Sequence, residues 1–233
     1  CLQFCQDFME REKPTGLIEI GLAAALLFSV LYGIGVRYLG GPDAFRYYVR
    51  EDGPAEYATA FFLFAGSLVA IFRAFTCCRG KRHLPVLTWS VLSFLFFFAA
   101  GDEISWGQRI FNIESSEFFL KYNKQAETNI HNLVVAGKSI NMIIFSRMVL
   151  IALLFYFIIL PVLAKKPGLI RRLVEKFGLP LPSLRHIIIM GVSTALIAVI
   201  RMAKGSELNE LAFSVIFFLV FLNPRTVGRE QLS

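Results

Sequence analysis

Charge is scarce in this 233-residue sequence: Asp, Glu, Lys and Arg together make up 18%. A soluble chain of that length would form one or two domains, but so few charges cannot cover a globule with polar surface. Histidine is limited to three residues, and cysteine to Cys1, Cys5, Cys77 and Cys78. No two cysteine pairs have zinc-ribbon spacing, and vicinal Cys77–Cys78 is poorly placed for a disulfide. Free thiols near a reducing compartment are expected. A glycine-rich phosphate loop, HExxH, GxSxG and paired CxxC are also missing. A His-rich metalloenzyme is thereby excluded. Any divalent metal cofactor would need a carboxylate-dominated site suited to Mg, Mn, Ca or non-haem iron.

What the sequence has is apolar length. Hydrophobic residues make up 56%, with 24 Phe, and the mean hydropathy is +0.60. A span needs about 20 mostly apolar residues. Six segments meet or approach this: 17–39, 57–78, 84–100, 140–164, 184–203 and the short 208–222. Backbone groups in lipid must be satisfied internally, and these runs lack the alternation of a barrel strand, so helices are expected. The expected fold is all-α, a polytopic transmembrane helical bundle forming one domain over 1–233. An interfacial helical segment is expected within the 101–138 connection. Because the sequence starts at Cys1 rather than Met, some N-terminal residue or segment is expected to precede it.

The net charge of +7 does not mark a nucleic-acid binder, because the cations sit at the ends of apolar runs and form no stripe interleaved with aromatics. That placement fits membrane lipids as partners. With a cytoplasmic N-terminus, one side carries Arg11, Lys13, Arg79, Lys81, Arg82, Lys165, Lys166, Arg171, Arg172, Lys176, Arg185, Arg225 and Arg229. The other side holds most of the acids, from Asp43 and Glu51 to Glu207 and Glu210. The positive-inside rule then places both termini in the cytoplasm, with the chain in the cell (inner) membrane.

This topology gathers three loops on the outer face. The first runs Glu51-Asp52-Gly53-Pro54-Ala55-Glu56, the second is the long 101–138 connection, and the third is Gly205-Ser206-Glu207-Leu208-Asn209-Glu210. The long connection opens with Asp102 and Glu103 at the end of an apolar helix, followed by Trp106, Gln108 and Arg109. Acids so placed need a cation or metal, and Arg109 is a candidate. A bland reading competes: an interfacial turn anchored by Trp106, its acids solvated.

Farther on, Asn123, Glu127 and His131 recur every fourth residue and would share one face of a helix. A Glu and a His one turn apart can ligate a metal, or the Glu can orient the His for proton transfer. Gln125, Asn129 and Asn132 would add amides on a neighbouring face. Arg147 lies inside the fourth span, which is costly unless it is paired or snorkels; its natural partners are Asp102, Glu103, Glu56 or Glu210. A structural ion pair and a substrate-anion role both remain open for it. Arg201 is expected to snorkel, His83 and His186 to be ordinary interfacial residues, and Glu19 to sit at a helix N-terminus.

The string Gly101-Asp102-Glu103-Ile104-Ser105-Trp106-Gly107-Gln108-Arg109-Ile110-Phe111, followed by Asn123, Gln125, Glu127, Asn129, His131 and Asn132, resembles a family of bacterial multi-span membrane proteins with no established activity. The family form has Glu where this chain has Asp102, which keeps the charge. The resemblance covers roughly residues 50–135 and implies a grouping without a mechanism.

Three function classes follow. The first is a membrane-embedded enzyme acting on a lipid or lipid-linked substrate. Glu127, His131, Asp102 and Glu103 would be its acid/base groups, and with Glu56 they are candidate ligands of a divalent metal. Arg109, Arg147, Gln108, Trp106, Asn129 and Asn132 would bind substrate. The second is a non-enzymatic subunit of a larger assembly, with other membrane-protein subunits as partners. The third is a small transporter, disfavoured by the apolar cytoplasmic halves of the spans and the lack of a repeat.

Overall fold

The computed structural model describes residues 15–130, 132–135, 138–139 and 149–225. Within them the chain is all-α apart from one two-residue antiparallel pairing, β1 (Val134–Val135) with β2 (Lys138–Ser139). The helices are α1 (Thr15–Leu39), α2 (Gly41–Tyr48), α3 (Pro54–Arg79) and α4 (His83–Glu103). Two short helices follow, α5 (Gln108–Phe111) and α6 (Glu117–Tyr122). Next, α7 (Val149–Leu154) continues through a π-helical turn at Phe155–Ile159 into α8 (Leu160–Lys165). The last three are α9 (Leu169–Phe177), α10 (Leu184–Val199) and α11 (Ser206–Leu222).

Glycine and proline set the boundaries. Gly41, at φ +87°, turns the chain out of α1, and Pro42 then sits in the first turn of α2. Gly53 is extended before Pro54, which opens α3 with the φ a helix start requires and no N–H to satisfy.

Among the described residues, four helices are long and apolar enough to cross a membrane: Gly16–Leu39, Pro54–Arg79, His83–Glu103 and Ala203–Leu222. A fifth span arises if Ile151–Lys165 and Leu169–Phe177, bent by 111°, count as one. The fold is thus a helical protein built for a membrane, with four or five spans by length and composition where the sequence led to six. The expected span at 184–203 stops at Val199 because Ile200 ends the helix and Arg201 takes φ +54°. Sixteen residues of helix reach about 24 Å, short of roughly 30 Å of hydrocarbon. Only the second half of the expected span at 140–164 falls within the described residues, and Arg147 lies outside them.

The short last span is the centre of the bundle. Over half of the apolar window of Ala203–Leu222 is buried, against 28% or less for the other three candidates. Leu208, Ala212, Ile216, Leu219 and Val220 have no exposed surface, and α11 packs on α1, α3 and α10. Its 17 residues therefore need not match the bilayer alone; neighbouring helices cover it.

The pair α3–α4 is the most extensive helix contact. Gly66, Ala70 and Ala74 form a small-residue stripe on α3, all buried. A Cβ on Gly66 would stand 3.2 Å from the Phe96 ring, so the helices approach closely there. Ser67 and Ser93 bind reciprocally, each hydroxyl donating to the other's carbonyl at 2.9 and 3.0 Å.

Two polar residues inside the spans have unexpected roles. Arg73, not singled out by the sequence, donates to the Leu222 carbonyl at 2.6 Å and lies 5.9 Å from the Trp89 ring. It thereby satisfies an end carbonyl of α11. His186, in the first turn of α10, is buried: its imidazole accepts from the Ser183 N–H while Ser183 Oγ accepts from the His186 N–H.

Candidate functional site

The polar groups concentrate at the end of the bundle where α4 and α1 finish and α3 and α11 begin. Lys204 joins two of these connections through ion pairs to Glu51 at 3.2 Å and Glu207 at 4.0 Å. Tyr38, at the end of α1, donates to the Val199 carbonyl at 2.7 Å.

The long connection folds against this end as a cross-linked loop. Residues 123–130 do not form a helix, so Asn123 and Glu127 do not share a helix face. Helix α6 ends at Tyr122, Asn123 is extended, and Ala126 takes φ +58°. The cause is asparagine chemistry. Asn123 accepts from the Gln125 N–H at 2.8 Å and donates to the Asn129 carbonyl and side chain at 2.9 and 2.8 Å. Such side chains offer the backbone partners that compete with a helix. Asn132 closes the loop, its N–H donating to Asn129 Oδ1 at 3.3 Å.

Glu127 is the buried hub. One carboxylate oxygen accepts from Ser105 Oγ at 2.7 Å and from Asn129 Nδ2 at 3.2 Å. The other is ion-paired to Arg109, whose second terminal nitrogen is paired to Asp52. Arg109, a candidate cation for Asp102 and Glu103, is ion-paired to Asp52 and Glu127. Asn129, with no exposed side, also donates to Ser105 Oγ at 2.9 Å. Gln108 accepts from Ser115 Oγ at 2.9 Å and from the Thr128 N–H at 2.8 Å. Buried Asp102 accepts from the Ile130 N–H at 2.6 Å.

Of the sequence candidates, Asp102, Gln108, Arg109, Glu127, Asn129 and Asn132 are thus brought into one connected loop. Ser105, Ser115 and Thr128 belong to it and carried no spacing signal; Asp52, expected on the same face with its own loop, joins it through Arg109. His131 lies outside the described residues.

Trp106 sits at φ +56° in a one-turn helix, Ser105–Gly107, 42% exposed. Its indole meets Phe98 edge-on at 5.2 Å and Phe97 at 6.2 Å, and it lies over Gly101. Beyond it the connection presents Ile110, Phe111, Ile113 and Phe118 outward, each more than half exposed.

Glu103 stands apart from the hub. It lies within electrostatic reach of Glu210, Glu207, Glu56 and Asp102. Glu56 accepts from the Asp52 N–H at 2.7 Å, which ties this group to the Arg109 loop. Ionised carboxylates gathered this way repel one another, and a shared proton or a bound cation relieves the repulsion. Among the described residues, no three of His, Cys, Asp and Glu come together closely enough to hold a metal ion. The expected ligand set is thereby divided: Glu127 is engaged by Arg109, Asp102 by the Ile130 amide, and Glu56 and Glu103 remain in the carboxylate group.

Fold and site together define a class, an all-helical membrane-embedded protein with one strongly polar end. No protein-family model, curated protein or solved structure matches the chain.

Proposed function

We propose that the chain is a six-span protein of the bacterial inner membrane, both termini cytoplasmic, whose extracytoplasmic end acts on a lipid or lipid-linked substrate. In support of six spans, α10 reaches both ends of the bundle despite its length. Val199 meets Tyr38 at the polar end, and Leu181, just before α10, pairs with Arg225, just after α11. The orientation rests on the basic residues of the opposite end.

The observation that carries the substrate class is the adjacency of two surfaces. The Glu103 carboxylate group comes from three helices, α3, α4 and α11, while the connection beside it turns Trp106, Ile110, Phe111 and Phe118 outward. Apolar side chains at the level of Trp106 dip into the headgroup region, so a substrate held in the membrane would meet these carboxylates without leaving lipid. Glu103 is the proposed acid/base group, with the carboxylates of Glu56, Glu207 and Glu210 around it. The Arg109–Glu127 loop positions the connection.

Purified protein in liposomes of mixed headgroup composition, followed by mass spectrometry of the lipids, tests this. A headgroup-altered or cleaved product is expected with the native chain, reduced at least about tenfold in Glu103→Gln. An unchanged lipid profile across headgroup classes would overturn the enzymatic reading.

A second reading, a non-enzymatic subunit of a larger membrane assembly, is favoured by one observation. Glu127 and Asn129 are saturated with internal partners, as befits a rigid docking loop. Co-purification of a stoichiometric membrane partner in mild detergent, lost on deleting the apolar tip 110–113, would support it over the enzyme.

A further inference from the structure

At the end of the bundle opposite the carboxylates, α8 stops at Lys165, and the chain bends 111° through Lys166-Pro167-Gly168 into α9. If α7–α8 crosses the bilayer, α9 lies close to the membrane plane. Its nine residues, Leu-Ile-Arg-Arg-Leu-Val-Glu-Lys-Phe, place apolar side chains over one side of the helix.

Half of that apolar side is used internally. Val174 is buried with Ala164 and Leu181, and Ile170 packs against them. Gly178, at φ +62°, ends the helix and seats it against Pro85 at the start of α4. The other half faces outward: Leu169 is 71% exposed and Leu173 is 38% exposed. Helical spacing puts Arg172 and Lys176 beside these two leucines, both exposed. On the far side Arg171 is paired to Glu175 at 2.9 Å.

The contact between α9 and α4 brings a second basic group alongside. The turn between α3 and α4 exposes Arg79, Lys81 and Arg82, while Lys165 and Lys166 are exposed at the bend and Arg185 at the start of α10. Two acids lie at this end among the described residues. Glu175 is held by Arg171, and Glu19 is buried, accepting from Asn223 Nδ2 at 2.9 Å.

We propose that α9 is a membrane-surface helix whose Arg172 and Lys176, with the Arg79–Arg82 turn, form a binding site for anionic lipid headgroups. Leu169 and Leu173 insert at the acyl boundary, and the cations beside them reach the headgroup phosphate. That pairing of exposed leucines with flanking cations, on a helix turned across the bundle, distinguishes this surface from cations that serve only as topology signals. The proposal rests on the membrane-embedded reading and does not depend on the carboxylate site.

The test is native mass spectrometry of the full chain after exchange with equal amounts of phosphatidylglycerol and phosphatidylcholine, with inorganic phosphate as a separate arm. Retained phosphatidylglycerol should exceed phosphatidylcholine, and Arg172→Gln/Lys176→Gln should cut that preference by about fivefold or more. The control Lys121→Gln/Lys124→Gln, with the same charge change at the other end, should keep it. Equal retention of the two lipids would overturn the proposal, as would a preference untouched in the α9 variant. Displacement of the lipid by millimolar inorganic phosphate would instead assign the site to free phosphate. Lipid selectivity is read without any enzymatic product, so its failure is distinguishable from failure of the catalytic reading.

Discussion

Arg109 and Glu127 form an ion pair across the 101–130 connection, with Asp52 on the other arm of the same guanidinium. The side chains are 30% and 12% exposed, so the pair is largely but not wholly removed from water. Glu127→Ala would leave Arg109 with Asp52 alone and would strip acceptors from Ser105 and Asn129. The expected loss is about 2–3 kcal/mol, below the full penalty of a dry buried pair because Arg109 keeps some solvent. Thermal unfolding in detergent checks it. The Arg109→Ala/Glu127→Ala double variant should lose less than the sum of the single losses.

Gly101 and Trp106 are a steric pair. A Cβ at Gly101 would come within 2.7 Å of the indole, closer than van der Waals contact permits. Gly101→Ala should displace Trp106 at a cost of about 1–3 kcal/mol. In a Trp89→Phe background, Trp106 emission should shift and become more accessible to an aqueous quencher. Emission identical to the native residue would show that the turn adapts without moving the ring.

The reciprocal Ser67–Ser93 bonds join two helices with few other polar contacts between them. Each Ser→Ala change should cost about 0.5–1 kcal/mol, the usual size of an interhelical hydrogen bond in a membrane. The two together should be less than additive, since both hydroxyls share the Oγ···Oγ contact at 3.1 Å. Denaturant unfolding in mixed micelles measures this.

Arg73 closes the carboxyl end of the central helix through the Leu222 carbonyl. Arg73→Ala should destabilise by about 1–3 kcal/mol, leaving a helix-end carbonyl without its charged donor. Arg73→Lys should retain part of that, because a lysine donates but lacks the planar guanidinium that lies near Trp89. Equal losses for the two variants would mean that shape, not donation, sets the role.

Much of the fold was legible because apolar length and Gly/Pro punctuation are local signals. The helices of 17–39, 57–78 and 84–100 appear within a few residues of expectation. The rank of 208–222 was not legible, since its centrality comes from α1, α3 and α10 closing around it. The density of acids and amides in 101–132 marked a segment that folds into a cross-linked loop, though not with the geometry its spacing implied. Period-four spacing implied a helix, whereas Asn123 and Asn129 bond their own loop and prevent one. The partner of Arg109 was equally hidden, because Asp52 lies fifty-seven residues away and meets it only in three dimensions.

We propose that three connections converge on one membrane face, opposite a basic face. Single cysteines at Glu51, Glu114, Ser206 and Lys166, in a background with the native cysteines replaced by serine, test it through labelling by a membrane-impermeant maleimide. All four positions are exposed. Glu51, Glu114 and Ser206 should label in intact spheroplasts, and Lys166 only after permeabilisation. Labelling of Glu114 and Ser206 from opposite sides would contradict it.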